Sequence, residues 1–164
     1  MVRFGIVGFG LHAVKRLMPG FSLSKNCSVS ALSRQDINQA RESAAQFKIP
    51  LAFDSVEELC RSAEVDAVLV TTPNSCHLAD VLAAVDASKP VLCEKPLAMN
   101  ADECREMVEA ARRKNVLFAV AHVFRFEEST RAIRRLVGDG KIGRPVFARS
   151  EFSFFADPSH PRAP

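Results

Sequence analysis

The opening stretch VRFGIVGFGLHAVKRLM, residues 2–18, constrains the fold more than any other part of this chain. An apolar run ends in Gly8-Phe9-Gly10-Leu11-His12-Ala13, a GxGxxA turn, and a segment of helical character follows from Leu11 to Met18. The spacing has a steric logic. The first glycine permits a tight turn, the second lets backbone approach a pyrophosphate, and a small third residue lets the helix pack on the strand. The helix N-terminus then offers unpaired N–H groups and a positive dipole end to the phosphates. Glycine turns also join strands to helices for steric reasons alone, so the motif counts because of its context. Gly8, Phe9, Gly10, Leu11 and His12 are candidate contacts to a dinucleotide.

The context repeats along the chain. Short runs rich in Val, Ile, Leu and Phe (residues 2–9, 28–33, 66–72, 90–93 and 116–123) alternate with longer segments of helical period. This is the pattern of βαβ units winding a parallel sheet, and continuous apolar runs suit strands covered on both faces. The expected fold is α/β, a doubly wound parallel sheet. Ser55 with Glu58, and Asn100 with Glu103, each place a capping oxygen three residues ahead of a carboxylate and mark helix starts. Cys104, Met107, Val108 and Ala111 then recur at helical spacing as one apolar stripe.

Composition removes other classes. A chain of 164 residues, 48% hydrophobic and 25% charged, is ordinary for one soluble domain with a real core. No apolar run approaches the roughly 20 residues of a membrane helix, and no secretory signal pattern opens the chain, so the expected address is the cytoplasm. The five cysteines contain no CxxC pair, so neither a disulfide framework nor a metal site is expected. A net charge of +3 is too slight for a nucleic-acid footprint, and Arg131, Arg134 and Arg135 read as a solvated helix face.

The second strand ends Leu32-Ser33-Arg34-Gln35, without the acid that accepts hydrogen bonds from the ribose 2′-hydroxyl of NAD. A hydroxyl and a guanidinium suit a 2′-phosphate instead, which arginine grips through charged hydrogen bonds. Ser33 and Arg34 therefore point to NADP, with NAD the second choice. The competing reading makes Arg34 a solvated strand-end residue and gives the ribose to Asp36.

Ligands of doubly wound sheets sit outside the carboxyl ends of the strands, where Thr71-Thr72-Pro73-Asn74 and Glu94-Lys95-Pro96 both fall. Pro96 excludes Lys95 from helical dihedrals and permits a cis bond, which presents the lysine at a fixed angle. An ammonium beside a nicotinamide can stabilise the oxygen whose charge grows during hydride transfer, so Lys95 is the candidate catalytic residue. The plainer alternative is a surface Glu94–Lys95 pair, worth little.

The stretch TTPNSCHLADVLAAVDASKPVLCEKPLAMN, residues 71–100, resembles the signature of the Gfo/Idh/MocA oxidoreductase family, whose Rossmann half carries TPNxxH and, after a spacer, EKP. The similarity runs from the glycine loop through AHVFRF (121–126) and GKIGRPVFARSEF (140–152), which resemble the family's link into its second half. The resemblance implies NAD(P)-dependent oxidation or reduction of sugars, cyclitols or related polyols, with Lys95 in the active site. It also places Gly8, Gly10, Ser33, Arg34, Thr72, Pro73, Asn74, His77 and Glu94 on the cofactor side. By pattern alone His77 lies on a helix face and is equally a core or capping histidine. Arg125 and Phe126 border the nicotinamide pocket on this reading, with Phe126 as plain core the equal alternative.

The resemblance divides the chain into a dinucleotide-binding domain, residues 1–122, and a linker helix with the start of a substrate and oligomerisation domain, 123–164. The family's proton-transfer histidine, four residues after an aspartate on a helix of the second half, has no counterpart. His160 stands in Asp157-Pro158-Ser159-His160-Pro161, a proline-laced loop with the wrong spacing. The expectation is a cofactor domain without its substrate half, inactive as this chain alone. A non-catalytic module that senses NADP or pairs with a partner is the alternative. In residues 145–155, Val146, Ala148, Phe152 and Phe154 alternate with Phe147, Arg149, Glu151, Ser153 and Phe155, as in the first strand of an absent sheet. Each phenylalanine gains roughly 2 kcal/mol on burial, so a homo-oligomer formed through this segment is expected.

Overall fold

Strands β1 (Val2–Val7), β2 (Cys27–Ser33), β3 (Leu51–Phe53), β4 (Ala67–Val70), β5 (Val91–Cys93) and β6 (Phe118–Val120) pair in parallel as one sheet, ordered β3-β2-β1-β4-β5-β6. The computed structural model describes residues 1–151 and 153. The chain winds outward from β1 to β3, crosses back to β4 and continues the other way. The reversal opens a crevice between β1 and β4, where doubly wound folds take ligands. Five of the strands are those expected. β3 was not foreseen, because three residues behind Pro50 are too few to show a period.

Strand residues alternate between two buried layers, which explains their continuous apolar runs. Val7, Val68 and Val70 face α3 (Val56–Arg61), α4 (His77–Asp86) and α5 (Ala101–Arg113), where Leu59, Val81, Val85 and Met107 fill the core. Ile6, Leu32 and Leu69 face the opposite way, toward α2 (Ile37–Phe47) and the helix after the glycine loop. That helix runs further than the expected Met18. Ala13–Leu17 is a π turn, closed by Met18 N–H on Ala13 O, and it continues into α1 (Met18–Leu23). Pro19 explains the widening: it lacks an N–H and its ring crowds the carbonyl four residues back, which a wider turn relieves.

Backbone contacts divide the chain into one unit over Met1–His122 and a second that begins at Val123. The second holds a 3₁₀ turn, Val123–Phe126, and α6 (Glu128–Gly138), whose Arg131, Arg134 and Arg135 are exposed. Phe126 is not core: it is 67% exposed, with the Arg131 guanidinium 5.7 Å from its ring centre. Residues 145–151 belong to no strand. A strand needs a hydrogen-bonded neighbour, and none lies beside this stretch among the described residues. Val146 and Phe147 are 94% and 83% exposed. Phe152, residues 154–155 and His160 lie outside the described residues. Among the described residues, no helix is long and apolar enough to cross a membrane, and no group of three potential metal ligands is gathered.

Candidate functional site

The sheet register sets the site. Ser33 pairs with Val7, Val7 with Val70 and Val70 with Cys93, so four neighbouring strands, β2, β1, β4 and β5, end on one row. The next residues are Arg34, Gly8, Thr71 and Glu94. All the sequence-predicted segments of the first unit therefore leave the sheet along one rim. At about 4.8 Å between strands, the row from Arg34 to Glu94 is about 14 Å long.

Gly8 has φ +79°, and a Cβ there would lie 2.5 Å from Thr72 Cγ2 and 2.8 Å from Thr72 N, so the turn accepts only glycine. The Thr71 hydroxyl donates between Val7 O (3.0 Å) and Gly8 O (2.9 Å), which pins the loop to the end of β4. Phe9 turns inward. Its ring packs edge-on against Phe47 with centroids 5.4 Å apart, and its N–H donates to Ser33 O at 2.9 Å. Its side chain thus belongs to the core behind the loop. Leu11 points outward, 53% exposed. At Gly10 a Cβ would meet, among the described residues, nothing nearer than Gly8 O at 3.8 Å. The space over the loop is therefore open. The first bond back to the loop is Val14 N–H to Gly10 O, 3.1 Å, and the N–H groups of Leu11, His12 and Ala13 precede it at the helix start. Open space beside bare glycine backbone and unpaired N–H groups fits a dinucleotide pyrophosphate.

Arg34 is folded over the start of α2. It donates to Gln39 Oε1 at 2.7 Å and Ser43 Oγ at 3.0 Å, so it is held in place at the rim. Asp36 caps α2, its Oδ1 accepting the N–H groups of Asn38 and Gln39 at 2.8 and 3.0 Å. Ser33 is buried and offers its carbonyl to the glycine loop.

His77 lies fully buried at the start of α4, with Nε2 2.9 Å from Thr72 O and Nδ1 3.1 Å from Leu97 O. The ring bridges the turn after β4 to the turn after β5. A neutral ring can donate to only one of these carbonyls. Asn74 opens a 3₁₀ turn, Asn74–Cys76, closed by Cys76 N–H on Pro73 O at 2.8 Å. The sequence reading missed Asp80, whose Oδ2 accepts the Thr72 hydroxyl at 2.5 Å. Burial pushes its carboxyl above the usual range, while Thr72 and His77 pull the other way. Its signal was an acid one helical turn after His77.

The Lys95–Pro96 bond is cis. Lys95 is exposed, and its Nζ makes no hydrogen bond or ion pair with any described residue. Glu94 is tied down instead: its Oε1 lies 2.9 Å from His12 Nε2, and its Oε2 accepts the Lys95 N–H at 3.0 Å. Cys93, directly before it, has its thiol pushed up to about 12 by burial and stays protonated. Arg125 belongs to the second unit, exposed in its 3₁₀ turn.

Known proteins match this sequence and fold. Residues 2–122 fit the GFO_IDH_MocA family, described as an oxidoreductase family with an NAD-binding Rossmann fold. The chain is 41% identical over 164 residues to trans-1,2-dihydrobenzene-1,2-diol dehydrogenase of Mus musculus, covering 99% of this chain and 49% of that protein. It is 37% identical over 158 residues to 1,5-anhydro-D-fructose reductase of Ensifer adhaerens, covering 96% and 47%. A probable dehydrogenase from Thermotoga maritima superposes with a TM-score of 0.82 at 27% identity, over 88% of this chain and 43% of that one. The chain spans about half the length of the curated relatives it matches. With the sequence pattern and the six-stranded parallel fold both present across residues 2–122, this chain belongs to the Gfo/Idh/MocA oxidoreductase family.

Proposed function

We propose that this chain is the NADP(H)-binding part of an oxidoreductase acting on a CH–OH group of a sugar, cyclitol or related polyol. The observation that carries the reading is the common row of Arg34, Gly8, Thr71 and Glu94, with a lysine at its far end that has no partner among the described residues. The 2′-phosphate end lies at Arg34, the pyrophosphate over Gly8, Gly10 and the helix start, and the nicotinamide end toward Asn74, Glu94 and Lys95. The relatives named above, a diol dehydrogenase and a sugar reductase, support the substrate class. NADP, when bound, supplies the hydride acceptor or donor. Lys95 Nζ donates a hydrogen bond to the substrate oxygen and stabilises the negative charge that grows there. Residues from 123 onward, Arg125 among them, begin the part that meets substrate.

The choice of NADP rests on two side chains. Arg34 is held at the rim by Gln39 and Ser43, and Asp36 spends its Oδ1 on the cap of α2. The chain has no Trp and no Tyr, so NADPH fluorescence can be titrated with little protein background. NADPH should bind at least about tenfold tighter than NADH, the effect of one charged hydrogen bond. Arg34→Ala should remove that preference, and Lys95→Ala should leave binding within about threefold. NADH binding as tight as NADPH overturns the cofactor assignment. Binding without reduction of any member of a polyol panel, in a complete relative carrying this half, favours a sensing module instead.

The exposed apolar side chains of Val146 and Phe147 are covered by a second copy of the chain. Sedimentation should show association that grows with concentration and weakens in Phe147→Ser. A monomer at every concentration ends this part of the reading.

A further inference from the structure

We propose that His12 is a positioning residue for Lys95, acting through the Glu94 carboxylate. This deepens the functional reading above and takes from it only that Lys95 is the working amine. Glu94 and Lys95 are neighbours in sequence, and a carboxylate with a free oxygen there would be drawn onto the ammonium. That attraction grows as less water screens it. Both oxygens are already engaged. Oε1 is held by His12 Nε2 at 2.9 Å and Oε2 by the Lys95 N–H at 3.0 Å.

The Glu94 side chain is only 12% exposed and His12 35%, so the bond between them is partly shielded from water and stronger than an open surface pair. Lys95 Nζ has no partner among the described residues, although its own neighbour is an acid. His12 accounts for that. It draws the carboxylate toward the glycine loop and leaves the amine to a substrate oxygen. The bond also passes over the end of β4, because β1 and β5 are not adjacent in the sheet. The loop suited to phosphates and the turn that carries the lysine are thereby tied as one piece.

The test needs neither nucleotide nor substrate. Lysines of the folded chain are acylated to a limiting extent, and the Lys95 peptide is quantified by mass spectrometry, with the exposed Lys25 and Lys48 as internal references. His12→Leu should slow Lys95 acylation about threefold against the references, the size of a partly screened ion pair. His12→Asn, whose amide falls short of Glu94, should do the same and serves where His12→Leu does not fold. His12→Gln keeps an N–H donor at similar reach and should restore the rate. Adding Glu94→Gln to His12→Leu should restore it too, because no carboxylate remains to capture the amine. A purely structural role for His12 predicts a loss that neither change repairs, and that result, or an unchanged rate in His12→Leu, overturns the proposal. A failed NADPH titration would remove the functional reading and leave this result standing.

Discussion

At Gly8 a single methyl group does the most harm. The backbone sits at φ +79°, and the added carbon would press on Thr72 N at 2.8 Å and Thr72 Cα at 2.9 Å, neither of which can rotate away. Gly8→Ala should therefore cost about 2 kcal/mol or more in urea unfolding. Gly10 is the contrast, because among the described residues a Cβ there meets only Gly8 O at 3.8 Å. Gly10→Ala should fold within about 0.5 kcal/mol of the parent and still bind NADPH more weakly, since the methyl occupies space a ligand would use. Equal NADPH binding by Gly10→Ala would mean that the open side of the loop is not where the phosphates lie. His77 shows what a residue's pattern leaves undecided. Its helix-face position allowed core, cap or ligand contact, and the fold buries it between two backbone carbonyls on different turns.

Elements were legible where their signals are local. Asn100 Oδ1 accepts the Glu103 N–H at 2.9 Å as the spacing predicts, while Glu103 Oε2 reaches one residue past the cap to accept the Met99 N–H at 3.0 Å. Ser55 Oγ accepts the Glu58 N–H at 3.2 Å and donates to Glu57 Oε2 at 2.9 Å, a one-way cap. Asn100→Ala should cost about 1 kcal/mol in chemical denaturation. Because this cap follows the Lys95–Pro96 turn directly, the loss should also show as faster amide exchange at Met99. No change in either measurement would mean that packing alone holds the start of α5. The elements that escaped lack such signals. β3 is too short to show a period, and the π turn before Pro19 answers a clash one turn away. The stretch 145–151 alternates like a strand, yet alternation supplies no neighbour to pair with.

At the scale of the whole molecule, two carboxylates pull stability in opposite directions with pH. Asp66 is held below the usual range by hydrogen bonds from Arg3, so its contribution is present above its unfolded value of 3.8 and is lost on acidification. Asp80 is raised above 3.8, chiefly by burial, so its folded form keeps a proton that the unfolded chain has already released. Its contribution is complete below 3.8 and is lost as pH rises through the folded value. Asp80→Asn removes that loss. The stability of the variant relative to the parent should therefore grow as pH rises from about 4 toward neutrality, read from urea unfolding at each pH. A difference that stays flat, or that shrinks with rising pH, would contradict the burial of this acid as the dominant influence.

The sequence by itself determined what depends on near neighbours: the glycine turn, the capped helix starts, the two-faced apolar strands and hence the winding of a parallel sheet. The motifs of residues 71–100 fall on the turns after β4 and β5. Only the tertiary structure decided how those turns meet. The shared register of Ser33, Val7, Val70 and Cys93 brings Arg34, Gly8, Thr71 and Glu94 onto one rim. The same packing sets His12 against Glu94 across 82 residues of chain. The physical reason is that a turn or cap is formed by atoms a few bonds apart. A row of strand ends is fixed by hydrogen bonds between segments whose separation in sequence carries no information about their alignment.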